Sequence, residues 1–139
     1  MREVLLHGGA DESFDRSVAF ARRLAESFGA RLHVVYTVEE PLSAGWTAEV
    51  SAERLPELHT AIETEARERL ARLIPEAEQE QLGIRLEIRT GLAATELIRY
   101  TKEHAIDLAI VHAPRDDDPD LELSHALLEH GRCAVLVLR

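Results

Sequence analysis

What constrains this chain most is that short, continuous apolar runs alternate along it with apolar stripes at helical spacing. Val4-Leu5-Leu6, Leu108 to Val111 and Val135 to Leu138 have no polar face, as strands covered on both sides of a sheet require. Leu32, Val34, Val35, Tyr36 and Val38 read as a further strand. Ile84, Leu86 and Ile88 alternate with Arg85, Glu87 and Arg89, the mark of a strand with one wet face, which places it at a sheet edge. Four helices lie between the strands. Phe14, Val18, Ala21, Ala25 and Phe28 mark the first, and Leu55, Leu58, Ile62, Ala66, Leu70 and Leu73 the second. Leu97, Ile98, Thr101 and Ala105 mark the third, and Leu123, Leu127 and Leu128 the fourth. Ser13 is the expected N-cap of the first helix, with Asp15 in its first turn and Gly29 as its C-cap. Pro41 to about Val50, which holds Trp46, reads as a connector. Pro75 should end or kink the second helix, since a proline inside a helix costs about 3 kcal/mol. Asp118 and Pro119 should open the fourth helix and Gly131 close it.

The order β-α-β-α-β-α-β-α-β predicts a three-layer α/β fold. Its sheet is parallel, its crossovers are right-handed, and helices cover both faces. No linker or internal repeat divides the chain, so residues 1–139 form one expected domain.

Charge and composition exclude several classes of function. A net charge of -10 argues against a phosphate-backbone partner, because nucleic-acid affinity rests on clustered Lys and Arg. Lys102 is the only lysine and lies in a helical pattern, so no P-loop lysine is available to reach the β- and γ-phosphates of a nucleotide. The lone Cys133 excludes an internal disulfide framework and fits a reducing compartment. No apolar run approaches the roughly 20 residues a bilayer span needs, and Met1-Arg2-Glu3 does not begin a signal peptide. The expectation is a cytoplasmic protein without membrane contact.

Particular segments, in order and at the right spacing, carry a family resemblance. They are Val4-Leu5-Leu6 followed by Asp11-Glu12-Ser13, then Leu24-Ala25 through Gly29-Ala30-Arg31-Leu32-His33-Val34-Val35, and Gly91. Ile106-Asp107-Leu108-Ala109-Ile110-Val111 and the ending Cys133-Ala134-Val135-Leu136-Val137-Leu138 complete the set. On these the chain resembles a universal stress protein domain over essentially its full length. The resemblance implies an open five-stranded sheet of order 3-2-1-4-5, of the adenine-nucleotide α-hydrolase-like type. It also implies a homodimer in which Val135, Leu136, Val137 and Leu138 pair with their copies. An apolar edge strand left in the open is a liability, which supports that pairing.

In that strand order, ligands favour the crevice where strands one and four part, at their carboxyl ends. The ends are His7-Gly8-Gly9-Ala10 and His112-Ala113-Pro114-Arg115. Many family members bind ATP there through a Gly, two residues, Gly, nine residues, Gly-Ser/Thr signature, whose bare amides cradle phosphates. Here His112 and Arg115 stand at the first two glycine positions, and Leu121-Glu122 at the last pair. Gly9 stands where an Asp usually contacts the nucleotide. The shortened loop carries Asp116, Asp117, Asp118 and Asp120, which would repel a triphosphate. The crevice candidates are His7, Gly8, Gly9, Thr37, His112 and Arg115.

Each candidate has a plain reading and a sharp one. His7 and His112 could form a metal or proton-relay pair, but a metal site wants three or four ligands. The expectation is two polar residues filling space left by lost glycines, with no metal and no cofactor. His33 is expected to be a packing or surface histidine. The Asp116 to Asp120 run lacks the length, central Gly and terminal Glu of a calcium loop and reads as a solvated acidic loop. Gly8-Gly9 reads equally as a close approach to a ligand or as a turn leaving a strand. Trp46 could lid the crevice, pack on the second helix or face a partner. Cys133 is expected to be a buried, unreactive thiol. Ser13, Ser43 and Ser124 show no His–Asp partners, so nucleophilic catalysis has no support.

Two functions fit. One is a non-enzymatic stress-response module that does not hold ATP in the family's usual manner and acts through dimerisation, a protein partner or a small ligand. The other is an adenine-nucleotide binder with a degenerate, metal-assisted phosphate site.

Overall fold

In the computed structural model five strands and five helices alternate, and residues 1–9, 11–38 and 48–139 are described, the side chains of 48–55 excepted. The strands are β1 (Glu3–His7), β2 (Arg31–Val38), β3 (Arg85–Thr90), β4 (Leu108–His112) and β5 (Ala134–Leu138). They form one parallel sheet of order β3-β2-β1-β4-β5. This is the strand order the resemblance implies. The helices are α1 (Phe14–Phe28), α2 (Ala48–Leu73), α3 (Glu76–Leu82), α4 (Ala93–Glu103) and α5 (Asp120–His130).

Side chains of a strand alternate between the two faces of its sheet, and this divides the core in two. Val4, Leu6, Leu32, Val34 and Ile110 pack with Phe14, Val18 and Ala21 of α1 and with Leu70 and Ile74 at the end of α2. Leu5, Val35, Ala109 and Val111 pack on the other face with Leu97 and Tyr100 of α4 and with Leu123 and Leu127 of α5. Val4, Leu5 and Leu6 of the central strand are wholly buried. Each such aliphatic side chain contributes about 1.5–3 kcal/mol relative to exposure.

Several boundaries differ from the sequence reading, each for a local reason. α2 begins at Ala48, inside the expected connector, and runs through Pro56, which removes one backbone donor from the helix. Trp46 and Ser43 lie outside the described residues. α2 ends at Leu73, before Pro75 as expected, but Pro75 then opens the additional helix α3. α3 buries no residue and has no apolar stripe to announce it; Gly83 closes it in the left-handed region at φ 64°. Ala105 lies beyond α4, with φ 51°, and Leu128 of α5 is exposed.

The caps also differ. Gly29 caps α1 at φ 63°, but the Ser13 side chain does not cap that helix. Its hydroxyl turns to Asp11 and His112 instead. α5 begins at Asp120 with Pro119, not Asp118, at its N-cap position, and the Asp118 carboxylate accepts the Asp120 N–H at 3.1 Å from one residue further back.

β3 is an edge strand, as its alternation requires. Its charged face is not bare, because α4 reaches over it. Arg89 meets Glu103 of α4 at 2.7 Å and Glu87 at 3.1 Å. His33 is no surface residue: it is buried, holds the Tyr100 hydroxyl at 2.7 Å through Nδ1 and meets Glu3 at 2.6 Å through Nε2.

Ile74 stands outside the helix that precedes it yet is 1% exposed. Its replacement by alanine should destabilise the protein by about 2–4 kcal/mol, read from urea unfolding. A loss below about 1 kcal/mol would mean that the α2–α3 joint does not complete the core.

Candidate functional site

The carboxyl ends of β1 and β4 part at the switch point of the sheet, and two histidines end these strands. Val4, Leu5 and Leu6 pair with Leu108, Ala109 and Ile110. His7 follows Leu6 by one residue and His112 follows Ile110 by two. Strand alternation therefore sends the two imidazoles to opposite faces of the sheet.

Each histidine meets the segment that follows the other strand. His112, on the α1 face, takes Ser17 Oγ at 2.8 Å on Nδ1. Its Nε2 meets Ser13 Oγ at 3.1 Å and the Asp11 carboxylate at 3.1 and 3.2 Å. Phe14 packs edge-on against the imidazole at 5.6 Å. His7, on the α4–α5 face, binds Thr37 Oγ1 at 2.9 Å through Nε2. Its Nδ1 has no hydrogen-bond partner and lies 3.8 Å from the Asp120 carboxylate of α5. Burial, followed by the nearby His112, holds the His7 imidazole down to about 4. Burial, followed by the neighbouring Asp118, pushes the Asp120 carboxyl up. Asp11 is lowered, first by its bond from Ser13 and further by His112.

His112 thus ties α1 and the segment before it across the crevice, whereas His7 bonds Thr37 of β2 and only stands near Asp120, so the two do not converge on a common point. Among the described residues no group of three His, Cys, Asp or Glu side chains could hold a metal ion. Ser13 does have a histidine and an aspartate beside it, which its sequence neighbours do not reveal. The Asp11 carboxylate sits on the same imidazole nitrogen as Ser13, so it does not orient the ring from behind as a Ser-His-Asp arrangement requires.

Arg115 is exposed and turns back on its own loop, 3.6 Å from Asp117 and 3.7 Å from Asp118. Arg139 is likewise engaged, with Asp116 at 2.6 Å. The cations at this end therefore serve the acidic loop itself. Cys133 is only partly buried, and that burial raises its thiol.

Open space lies next to the switch point, not within it. A cavity of about 310 Å³ opens on the α1–α2 face at the ends of β1 and β2. Gly8, Gly9 and Thr37 of the expected crevice line it, together with Tyr36 and Val38. His7, His112 and Arg115 do not. The far wall is one face of α2: Ile62, Glu65, Ala66 and Arg69, spaced i, i+3, i+4, i+7. Ile62 and Ala66 belong to the apolar stripe of that helix. Glu65 and Arg69 flank it and border the cavity, Glu65 exposed and Arg69 half-buried.

Arg69 fastens this wall to the crevice. It bonds Asp15 at 2.9 Å and the Asp11 carbonyl at 2.7 Å, and lies 5.8 Å over the Phe14 ring. Gly8 is needed for packing: a Cβ there would come within 2.6 Å of the Tyr36 ring. Its N–H is bound to the Val35 carbonyl at 2.7 Å. A Cβ on Gly9 would stand 3.1 Å from the His112 ring.

An open parallel sheet with this strand order defines a doubly wound α/β domain. A model of the universal stress protein family matches residues 4–139, and the chain belongs to that family. UspA from Lactobacillus plantarum is similar in structure, with a TM-score of 0.76 at 21% identity, over 99% of this chain and 97% of that one. A universal stress protein in complex with cAMP matches with a TM-score of 0.65 at 16% identity, over 99% and 96% of the two chains. One from Archaeoglobus fulgidus in complex with dAMP matches with a TM-score of 0.58 at 13% identity, over 100% and 98%. No curated protein matches this sequence. Among the described residues no helix is long and apolar enough to cross a membrane.

The buried, depressed His7 has a consequence for stability. Unfolded, it takes up a proton near 6.5; folded, only near 4. The unfolded state therefore binds more protons across this window, and stability should rise as pH goes from about 4 to about 6.5, by up to about 3 kcal/mol. Asp120, shifted upward, works against this at the acid end. His7→Gln, which keeps an amide facing Thr37, should flatten the profile in urea unfolding at stepped pH. An unchanged profile would remove His7 as its cause.

Proposed function

We propose that this protein is a non-enzymatic stress-response module that does not hold ATP in the manner of glycine-bearing relatives. It acts as a homodimer, through protein contacts or a small ligand, in the cytoplasm. The observation that carries this reading is the closed switch point. Asp11, Ser13, Ser17 and His112 are bonded across the place where β1 and β4 part. Beside them stand Asp116, Asp117, Asp118 and Asp120, whose arginine neighbours are already paired. A triphosphate brought here would have to break those bonds and face carboxylates instead of bare amides. The partly buried edge strand β5, Ala134–Leu138, supports self-association through Val135, Leu136, Val137 and Leu138.

A second reading, an adenine-nucleotide binder with a degenerate phosphate site, is favoured by the cavity beside Tyr36 and by the cAMP and dAMP of two related structures.

Purified protein should release no ATP on denaturation, and ATP with Mg²⁺ or Mn²⁺ should leave its melting temperature unchanged. A ligand at 100 times its Kd would stabilise by about 2.7 kcal/mol, so a clear rise with ATP would overturn the first reading. Light scattering should give twice the 15.6 kDa of one chain; a monomer at every practical concentration would remove the dimer.

A further inference from the structure

At the end of β1, side chains from three elements stand in line. The Thr37 hydroxyl of β2 lies 2.9 Å from Nε2 of His7. On the far side of the same ring, Nδ1 lies 3.8 Å from the Asp120 carboxylate at the start of α5. His7 is buried, and its Nδ1 has no hydrogen-bond partner among the described residues. His112 has no such arrangement. There the hydroxyl of Ser13 and the carboxylate of Asp11 crowd onto one nitrogen, and Ser17 takes the other.

With the carboxylate drawing the proton to Nδ1, Nε2 is left as an acceptor and the Thr37 hydroxyl donates to it. In this polarity an imidazole can remove a hydroxyl proton while a carboxylate behind it fixes the tautomer. The 3.8 Å separation exceeds a hydrogen bond, but contacts of this kind are often long until a reacting group arrives. Thr37 stands one residue before the end of β2 and is only partly buried, so it is reachable from solvent.

The weakness of the base sets the substrate. Burial, followed by His112, holds the His7 ring down to about 4. Such a ring cannot drive attack on an amide. It suffices where the leaving group is itself a weak base, as in an aryl ester or an acyl phosphate.

We propose that Thr37, His7 and Asp120 form a hydroxyl–imidazole–carboxylate line in which Thr37 accepts an acyl group from an activated acyl donor. Thr37 Oγ1 bonds to the acyl carbon while its proton passes to His7 Nε2. The bond to the leaving oxygen then breaks, that oxygen keeps the electron pair, and the proton passes from Nε2 to it. His7 ends neutral and Thr37 ends as an ester. Asp120 is a positioning residue. One acyl group per chain results, a self-modification without turnover, which goes beyond the non-enzymatic reading above and leaves it intact.

The test is incubation of the intact protein with p-nitrophenyl acetate, with acetyl groups located by peptide mass spectrometry. Thr37 should carry one acetyl group, Thr37→Val should lose it and Thr37→Ser should regain it, with circular dichroism confirming each fold. His7→Gln should slow labelling at least about tenfold. Asp120→Asn should also slow it and Asp120→Glu restore it, a rescue that a purely structural role would not produce. His7 is faced by Thr37, His112 and Asp120, and Asp120 in turn by Asp118, Arg115 and Asp11. Labelling of Thr37 should hold level from about pH 5 to about pH 8, where His7 is already free of its proton, whereas hydroxide-driven labelling climbs about tenfold per pH unit. Acetyl groups only on Lys102, Cys133 or the amino terminus would overturn the proposal. So would an unlabelled protein, or a Thr37 label whose rate His7→Gln leaves unchanged.

Discussion

Side-chain alternation along two neighbouring strands governs this molecule. β1 and β4 run parallel with Leu6 beside Ile110, and from that pairing the faces of all later residues follow. Leu5 and Val111 feed one core while Leu6 and Ile110 feed the other. The same rule carries past the last apolar residue of each strand and sends His7 toward α5 and His112 toward α1. Had the chain been one residue shorter between Ile110 and His112, both imidazoles would share a face and could meet a common ligand. As built, His112 secures α1 while His7 bonds Thr37 of β2.

Closure of the switch point follows from that placement. In an open α/β sheet the divergence of two crossovers leaves a cleft for ligands. Here one imidazole holds Asp11, Ser13 and Ser17, and the other stands against Asp120. Arg69 extends the tie to α2. The acidic loop after β4 uses its own arginines, so this end of the sheet has few cations left to offer.

The fold was legible because each strand announces itself by an apolar run or, in β3, by alternation, and each major helix by its stripe. α3 was not, since Glu76-Ala77-Glu78-Gln79-Glu80-Gln81-Leu82 is polar nearly all round and depends on Pro75 and Gly83 at its ends. His33 reads as an ordinary polar residue until Glu3 and Tyr100, distant in sequence, are brought to it. The cavity was half legible. Gly8, Gly9 and Thr37 follow from strand ends and sheet topology. Glu65 and Arg69 flank an apolar stripe, where charged residues normally face solvent. Tyr36 reads as a strand residue, and nothing local indicates that its ring stands over Gly8.

That last contact gives position 8 an influence out of proportion to its size. The phenol ring rests where the first carbon of any side chain at residue 8 would sit. A single methyl group added there would have to push aside the ring, which also packs edge-on against Phe14 at 6.0 Å, and so reshape the space it borders. The size of residue 8 therefore sets the shape of the wall that Tyr36 forms, and only the absence of a side chain there lets the ring lie where it does.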